Sequence, residues 1–235
     1  MSTVRHALAG ALVGVATIVA LVALGLLLVG NPVWFRLTQE RAQADAWTGW
    51  PMATVTAVTN AVFADVVVGP PDFDQVVDGA AVFTERERSH FRDVRVAVVG
   101  FAALTILALA LLLLGHRLAR GARWFWQGVA GGAVALAGGV MLLGLLSLAA
   151  FEQVFEVFHQ LLFPEGSYNF DPTTERMVQL FPMQLWFETS IALGVVLVVL
   201  AGLTLAICAI RLDRASRREE PRVGGVVPTI RQDVS

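Results

Sequence analysis

Four long stretches without a charged side chain divide the sequence. They contain between 20 and 27 residues each and cover residues 7–30, 96–115, 124–150 and 189–210. About 20 apolar residues in a helix cross the hydrocarbon core of a bilayer, which is about 30 Å thick. A chain inside lipid must satisfy its backbone polar groups internally, so each stretch is predicted to be helical. The pattern therefore predicts four transmembrane spans, the second of which is about 94–115.

Two long segments and a tail lie outside these spans. Residues 31–93 join the first span to the second, and residues 151–188 join the third to the fourth. We therefore expect an all-α fold, a polytopic membrane four-helix bundle whose two partly helical segments cap its outer face. Residues 1–215 are expected to form a single membrane domain. Residues 216–235 carry charge, glycine and proline and are expected to form a disordered cytoplasmic tail.

The composition agrees with a membrane protein. Apolar residues make up 56% of the chain and charged residues 15%, whereas a soluble globular protein carries about 25% charged residues. This composition excludes a soluble domain, a disordered protein and a nucleic-acid binder. The single cysteine, Cys208, excludes an internal disulfide, a cysteine-based zinc site and an iron–sulfur cluster.

The distribution of arginine predicts the orientation. Arginine supplies all 17 basic residues, and 10 of them precede the first span, join the second to the third or follow the fourth. The two long segments, with the first counted up to residue 95, hold the other seven together with 15 acidic residues. Because positive charge is retained on the cytoplasmic side, both termini are expected in the cytoplasm and both long segments outside.

The first long segment ends in a motif that predicts a helix with a histidine on its exposed end. Thr84 and Glu87 have the spacing of a capping box, so a helix is expected to begin at Thr84 and to continue into the second span. Helical spacing places Arg86, Glu87, His90 and Asp93 on one face of that helix. Earlier in the segment, the mildly apolar residues 52–63 are expected to form a helix on the outer leaflet.

The second long segment carries a similar arrangement. The third span is expected to continue outward to His159, with Glu156 on the same helical face, and to end at Phe163-Pro164. Asp171-Pro172 has the pattern of a helix start, with Asp171 as the cap. The following helix is expected to lie in the membrane interface through its apolar face, and Pro182 is expected to end it.

His90 and His159 are expected to meet. The connection between the second and third spans, residues 116–123, is only eight residues long, which predicts antiparallel neighbours with both histidines at the same depth. Ionisable groups this close to the hydrocarbon core are costly and are functional more often than structural.

Three chemistries fit a histidine pair with neighbouring carboxylates. Glu87-x-x-His90 and Glu156-x-x-His159 have the Glu-x-x-His spacing of di-iron carboxylate bundles, but the further inward-facing glutamates of such a site are incomplete here. Covalent catalysis lacks a Gly-x-Ser-x-Gly nucleophile motif. General acid–base catalysis needs only the two imidazoles, with Asp93 or Glu156 available to fix their tautomers.

The motifs resemble those of the lipoprotein intramolecular transacylase family. The resemblance rests on Phe83-Thr84-x-Arg86-Glu87-x-x-His90-x-x-Asp93-Val94, on Phe155-x-x-Phe158-His159-x-x-x-Phe163, and on Asp171-Pro172 and Pro182. It covers nearly the whole chain in layout. One departure is Tyr168-Asn169-Phe170, which stands where a tryptophan is expected and bears on substrate positioning.

This resemblance implies a function and a location. It implies an acyltransferase of the bacterial cytoplasmic membrane that moves an acyl chain from the sn-2 ester of a diacylglyceryl-cysteine lipoprotein to the α-amino group of that cysteine. His90 and His159 would be catalytic, and Arg86, Glu87, Asp93, Glu156 and Asp171 would support the site or position the substrate. The implied partners are the lipoprotein and membrane lipid, with no cofactor, metal or nucleic acid.

Two other functions fit the same residues. A non-enzymatic membrane module, such as an assembly factor or lipid sensor, would use the histidines only to pair with neighbouring carboxylates. A Glu-x-x-His metal-dependent membrane enzyme would contain a stoichiometric metal ion.

Overall fold

The fold is almost entirely helical. The computed structural model describes residues 2–164 and 166–219 of the 235-residue chain. In chain order the elements are α1 (Ser2–Val29), α2 (Pro32–Arg41), α3 (Ala44–Thr48), α4 (Met52–Val67), β1 (Val76–Val77), β2 (Ala80–Ala81), α5 (Glu85–Ala119), α6 (Arg123–Leu162), α7 (Arg176–Leu180) and α8 (Met183–Glu219). Helices α1, α5, α6 and α8 are each long and apolar enough to cross a membrane. The predicted all-α, four-span fold is confirmed.

The short elements gather at one end of the four long helices. Helix α2 contacts α3, α4 and α8, while α4 packs against α5 and α3 against α7. The strands β1 and β2 pair as a small antiparallel hairpin. Residues 31–84 and 163–182 are together called the cap below. Because every described cap element precedes or follows a long helix at this end, the cap covers the starts of α5 and α8 and the end of α6.

Two capping residues define how the chain enters and leaves the cap. Asn31 accepts hydrogen bonds from the backbone N–H groups of Val33 and Trp34, both at 3.1 Å, and so begins α2. Thr84 and Glu87 form the predicted capping box, so α5 begins directly after Thr84 and continues into the second span. Both N-terminal caps satisfy backbone donors that the first helical turn leaves unpaired.

Glycines bring α1 and α6 into close backbone contact. A Cβ atom added to Gly132 would lie 2.3 Å from the carbonyl oxygen of Gly14, and one added to Gly128 would lie 2.6 Å from that of Gly10. Such an approach is possible only without a side chain, as in other membrane helix pairs. Four further glycines of α6 have no described atom within 4 Å of an added Cβ: Gly131, Gly138, Gly139 and Gly144.

Gly132→Ala should therefore destabilise the protein, whereas Gly131→Ala should not. The added methyl group at position 132 must push α1 away from α6, and overpacking of this kind costs about 1–3 kcal/mol. Thermal unfolding of the detergent-solubilised variants measures the difference. Equal stability of the two variants would contradict a close helix crossing at Gly14 and Gly132.

The second and third spans meet at the two histidines but do not pack closely along their length. Helix α1 lies against α5, α6 and α8, and α5 has few contacts with α6. The short connection fixes only the two helix ends that it joins. Beyond those ends, α6 packs against the glycine face of α1 and has little contact with α5.

The cap has its own hydrophobic core, and this core corrects the prediction for residues 172–181. Helix α7 begins only at Arg176, because the side chain of Asp171 accepts the N–H of Thr173 and closes a turn instead of starting a helix. The apolar face of α7 is buried in the cap and does not face a membrane interface; its buried members and their neighbours in the core include Met177, Leu180, Phe181, Phe35, Val55, Phe73 and Phe91.

Helix α4 spans Met52–Val67, so the predicted helix over 52–63 is present and is four residues longer. One of its faces is buried against the cap core through Val55, Val58 and Val62.

Pro182 separates α7 from α8, as predicted. At its other end, α8 continues to Glu219, four residues into the predicted tail, since the sequence has no proline between Pro182 and Pro221. The rest of the predicted tail lies outside the described residues.

Helix α6 continues past the uncharged stretch to Leu162, as predicted. Its backbone leaves helical geometry at one residue, Ala150, where φ is −154° and ψ is 58°. This residue separates the uncharged part of α6 from the part that enters the cap. The bend therefore sets the direction in which the last three turns of α6 approach α5.

Candidate active site

The two histidines that were predicted to meet lie together where the bundle joins the cap. His90 is on the second turn of α5, and His159 is on the last turn of α6. Their rings are nearly parallel, with an interplanar angle of 20° and centroids 6.2 Å apart. Both residues are buried, with exposed fractions of 6% and 9%. Two imidazole rings therefore share one small space.

The hydrogen bond of His159 defines its tautomer. Its Nδ1 atom lies 2.7 Å from the carbonyl oxygen of Phe155, one turn earlier on α6. A carbonyl oxygen can only accept, so Nδ1 must carry the proton. In the neutral ring, Nε2 then holds the lone pair. His159 is thereby arranged as a base whose reactive atom is Nε2.

His90 is in a different environment. Its Nδ1 atom is buried and has no hydrogen-bond partner among the described residues. His90 precedes the uncharged stretch of α5 by six residues and so lies outside the predicted span. Burial lowers the pKa of His90, and the nearby His159 lowers it further. The ring is therefore kept neutral, and in the neutral form one of its two nitrogens carries an N–H that can serve as a donor.

Aromatic side chains enclose the pair. Phe163 lies 4.8 Å from the His90 ring and 5.5 Å from the His159 ring, measured between centroids. Phe170 approaches His90 at 5.5 Å, and Tyr168 approaches His159 at 5.2 Å. These rings restrict the access of water, which strengthens electrostatic interactions inside the site. The contacts of Tyr168 and Phe170 could not be read from periodicity, since both residues lie in an irregular segment.

Glu87 forms no hydrogen bond or ion pair with a described histidine, although its spacing suggested that it could. Glu87 is fully buried. Its Oε2 atom accepts two hydrogen bonds from Thr84, one from the backbone N–H at 2.8 Å and one from the hydroxyl at 2.9 Å. Its Oε1 atom accepts the backbone N–H of Met177 at 2.7 Å. Glu87 therefore joins the start of α5 to α7, two elements that frame the site.

Neither carboxylate that was expected to fix a histidine tautomer does so. Phe155 supplies the carbonyl acceptor for His159 instead. Glu156 accepts the Tyr168 hydroxyl at 3.0 Å and the Gln160 amide at 2.9 Å. Asp93 is half-buried and forms no hydrogen bond or ion pair with a described residue. A backbone carbonyl is always available one turn earlier on a helix, which is why a carboxylate is not needed here.

Arg86 binds the segment that follows α6, residues 166–175, which is called the covering segment below. It donates to the carbonyl oxygens of Gly166 and Asn169, pairs with the Glu175 carboxylate at 3.3 Å, and lies 4.8 Å above the Phe170 ring. The backbone N–H of Asp171 donates to Glu175 in the same segment at 2.6 Å. Arg86 and Asp171 thus hold the covering segment in place, and neither forms a hydrogen bond or ion pair with a described histidine.

The arrangement does not fit the di-iron pattern. Both glutamates that this pattern needs as ligands, Glu87 and Glu156, accept hydrogen bonds from other groups of the cap. Among the described residues, no group of three or more His, Cys, Asp or Glu side chains is placed to hold a metal ion.

Four spanning helices beneath a helical cap, with two buried histidines at the junction, define a multi-pass integral membrane protein with a two-histidine site. A family model described as "Lipoprotein intramolecular transacylase Lit" matches residues 11–186. The chain belongs to this family.

Solved structures of one member have the same fold. The membrane integral lipoprotein intramolecular transacylase Lit from Bacillus cereus superposes with a TM-score of 0.76 at 15% identity, over 91% of this chain and 98% of that one. A structure of that protein with a histidine-to-arginine substitution gives a TM-score of 0.72 at 15% identity, over 93% and 96%. At this identity, the likeness establishes the fold.

A curated relative is more similar in sequence but shorter in match. An uncharacterized protein of Aquifex aeolicus (strain VF5) is 24% identical over 119 residues, which is 50% of this chain and 52% of the relative. The matched part of the chain thus spans about half the length of that relative.

Proposed function

We propose that this protein transfers an acyl chain within a diacylglyceryl-cysteine lipoprotein, from the sn-2 ester to the α-amino group of the cysteine. The observation that carries the proposal is the buried His90–His159 pair, in which the two rings are in different protonation environments. A neutral base beside a neutral donor is the arrangement that aminolysis of an ester requires. Membership of the transacylase family supports this reaction.

In this proposal, His159 is the base and His90 is the donor. His159 holds its proton on Nδ1 against the Phe155 carbonyl, so Nε2 can accept a proton from the attacking amine. His90, kept neutral by burial, presents its N–H to the ester carbonyl and then to the leaving oxygen. Neutral imidazole donors of this kind are used elsewhere to polarise carbonyl groups.

The reaction balances without an external reagent. The α-amino group loses a proton to His159 and its nitrogen forms a bond with the ester carbonyl carbon. The oxyanion accepts a hydrogen bond from His90, and the bond to the sn-2 oxygen breaks. That oxygen leaves as a glycerol hydroxyl with the proton that His159 took from the amine, which returns both rings to their neutral form. Because the donor ester and the acceptor amine belong to one molecule, proximity can supply about 7–11 kcal/mol of the barrier.

The surroundings of the pair suit a lipid substrate. Four large apolar side chains beside His159 on the last turns of α6 are exposed: Val157, Phe158, Leu161 and Leu162. An acyl chain could remain in contact with this strip while its ester reaches the histidines. We further propose that the cap faces the outside of the cytoplasmic membrane and that both termini are cytoplasmic, since arginine is concentrated at the opposite end of the bundle.

The direct test is the N-terminal structure of lipoproteins in a bacterium that lacks such an activity. Expression of this chain is expected to produce lipoproteins with an N-acylated cysteine and a free sn-2 hydroxyl, detected by mass spectrometry of the N-terminal lipopeptide. A membrane module without enzymatic activity would leave the diacyl form unchanged. Full expression of a folded protein without transfer would therefore overturn the proposal.

A further inference from the structure

A carboxylate with one uncommitted oxygen lies beside the proposed base. Glu156 is one turn before His159 on α6 and is half-buried. Its Oε1 atom accepts from Tyr168 at 3.0 Å and from Gln160 at 2.9 Å, whereas its Oε2 atom accepts no hydrogen bond from a described residue. No described arginine or histidine forms an ion pair with Glu156. The site therefore holds an anion whose cation is not supplied by the described chain.

Tyr168 places this anion with respect to the base. Its hydroxyl donates to Glu156, while its ring lies 5.2 Å from the ring of His159. Tyr168 is the single tyrosine of the chain. The three side chains thus form one contiguous group, in which Tyr168 fixes the rotamer of Glu156 by occupying Oε1 and leaves Oε2 available.

The chemistry of this group matches a primary ammonium ion. An ammonium has three donors, and it is bound best by a carboxylate together with the faces of aromatic rings. The acceptor in the proposed reaction is an α-amino group, whose ordinary pKa of about 8 means that it arrives mostly as an ammonium near pH 7. It must therefore be held as a cation before it becomes a nucleophile.

We propose that Glu156, held by Tyr168, binds the α-ammonium group of the acceptor cysteine and places it against Nε2 of His159. This inference rests on the proposed function and adds the subsite that selects a free amine. Glu156 accepts one N–H of the ammonium through Oε2. His159 first takes one proton from the ammonium and releases it to solvent. The neutral nitrogen then attacks the ester carbon while His159 takes its second proton, and this proton passes to the leaving sn-2 oxygen.

The proposal separates Glu156 from a merely structural role. If Glu156 only holds the covering segment against α6, it needs an oxygen that accepts hydrogen bonds from Tyr168 and Gln160. The side-chain amide of glutamine also has such an oxygen. A glutamate that binds a cation needs its charge. Glu156→Gln keeps the first property and removes the second, so the two roles give different results for this variant.

The experiment compares two synthetic lipopeptides in detergent micelles. One is a diacylglyceryl-cysteine peptide with a free α-amino group, and the other is the same peptide N-acetylated. With a His159→Gln background to prevent turnover, the protein is expected to bind the free amine about tenfold more tightly at pH 7, as a charge-assisted hydrogen bond provides. Adding Glu156→Gln should reduce this preference to within about twofold, with the affinity for the acetylated peptide unchanged.

Matched variants and pH make the result specific. Glu152→Gln removes one negative charge from the same helix one turn earlier, at an exposed position, and should keep the tenfold preference. Glu156→Asp keeps the charge and should retain part of the preference. Raising the pH above the ordinary pKa of the amine should abolish the preference in the parent protein, because the ligand loses its charge.

Two results would overturn the inference. One is a preference that survives Glu156→Gln, and the other is an equal loss of affinity for both peptides. If Glu156→Gln does not fold, Tyr168→Phe tests the same idea, since it frees the Glu156 rotamer and should weaken the preference while keeping the ring beside His159. A parent protein that transfers acyl chains in cells but shows no amine preference would refute this subsite and leave the proposed function standing.

Discussion

Replacing His159 with glutamine is expected to lower the rate of acyl transfer by about 10²–10⁴-fold, the usual contribution of a positioned general base. Glutamine fills a similar volume and can still place a polar atom near the position of Nε2, but its amide has no basic lone pair. The amine would then have to lose its proton to water. The rate is measured in micelles with a diacylglyceryl-cysteine lipopeptide, by mass spectrometry of the N-acylated product.

The same substitution at His90 should have a smaller effect, because the two histidines have different proposed roles. A glutamine amide can still donate an N–H to the ester carbonyl, so His90→Gln is expected to retain more activity than His90→Ala. Loss of an oxyanion donor costs about 10²–10³-fold in other enzymes, and we expect a loss of that size for the alanine variant. At position 159, by contrast, glutamine and alanine should be equally inactive.

The pattern across the four variants tests the assignment of roles. Partial activity of His159→Gln with complete loss in His90→Gln would reverse the assignment of base and donor. Full activity in all four would remove the histidine pair from the mechanism. Thermal unfolding of each variant provides the control, since both residues are buried and a loss of folding would otherwise resemble a loss of catalysis.

The proximity of the two histidines was predictable because both lie on regular helices whose ends the sequence indicates. A capping box fixed the first residue of α5, and an unbroken helical pattern carried α6 beyond the uncharged stretch. Once both ends were set, His90 and His159 had to lie at similar heights. The short connection did not predict how the other helices pack, and along most of its length α6 lies against α1 and α8.

The covering segment could not be predicted for a physical reason. Between Gly166 and Glu175 the sequence has no period of 2 or 3.6 residues, and the distant Arg86 donates hydrogen bonds to two of its carbonyl groups. Arg86 reaches across 80 residues to the carbonyl of Gly166. Asp171 has the sequence of a helix cap, but its side chain is satisfied within two residues by a turn. Asp171 could accept a hydrogen bond either as a helix cap or within a turn. The local sequence does not show which of the two the distant contacts will favour.

Glu87 is where this long-range dependence is strongest, and replacing it with alanine is expected to have the largest effect on stability. Its two oxygens accept three hydrogen bonds, two from Thr84 and one from the backbone of Met177. Removal of a buried acceptor leaves its donors without partners, at about 1–3 kcal/mol for each. With three donors affected and water able to reach some of them after relaxation, we expect Glu87→Ala to lower the free energy of unfolding by about 3–5 kcal/mol.

Glu85→Ala is the matched control for this prediction. Glu85 lies on the same first turn of α5, but its side chain is exposed and pairs only with Arg88 and Arg92, and exposed ion pairs contribute little. Unfolding of both variants in detergent, followed by tryptophan fluorescence, should show a large loss for Glu87→Ala and a small one for Glu85→Ala. Comparable losses would contradict the role of Glu87 as the link between α5 and α7. Because that link holds His90 beneath the covering segment, acyl transfer by the folded fraction of Glu87→Ala should fall as well, whereas transfer by Glu85→Ala should not.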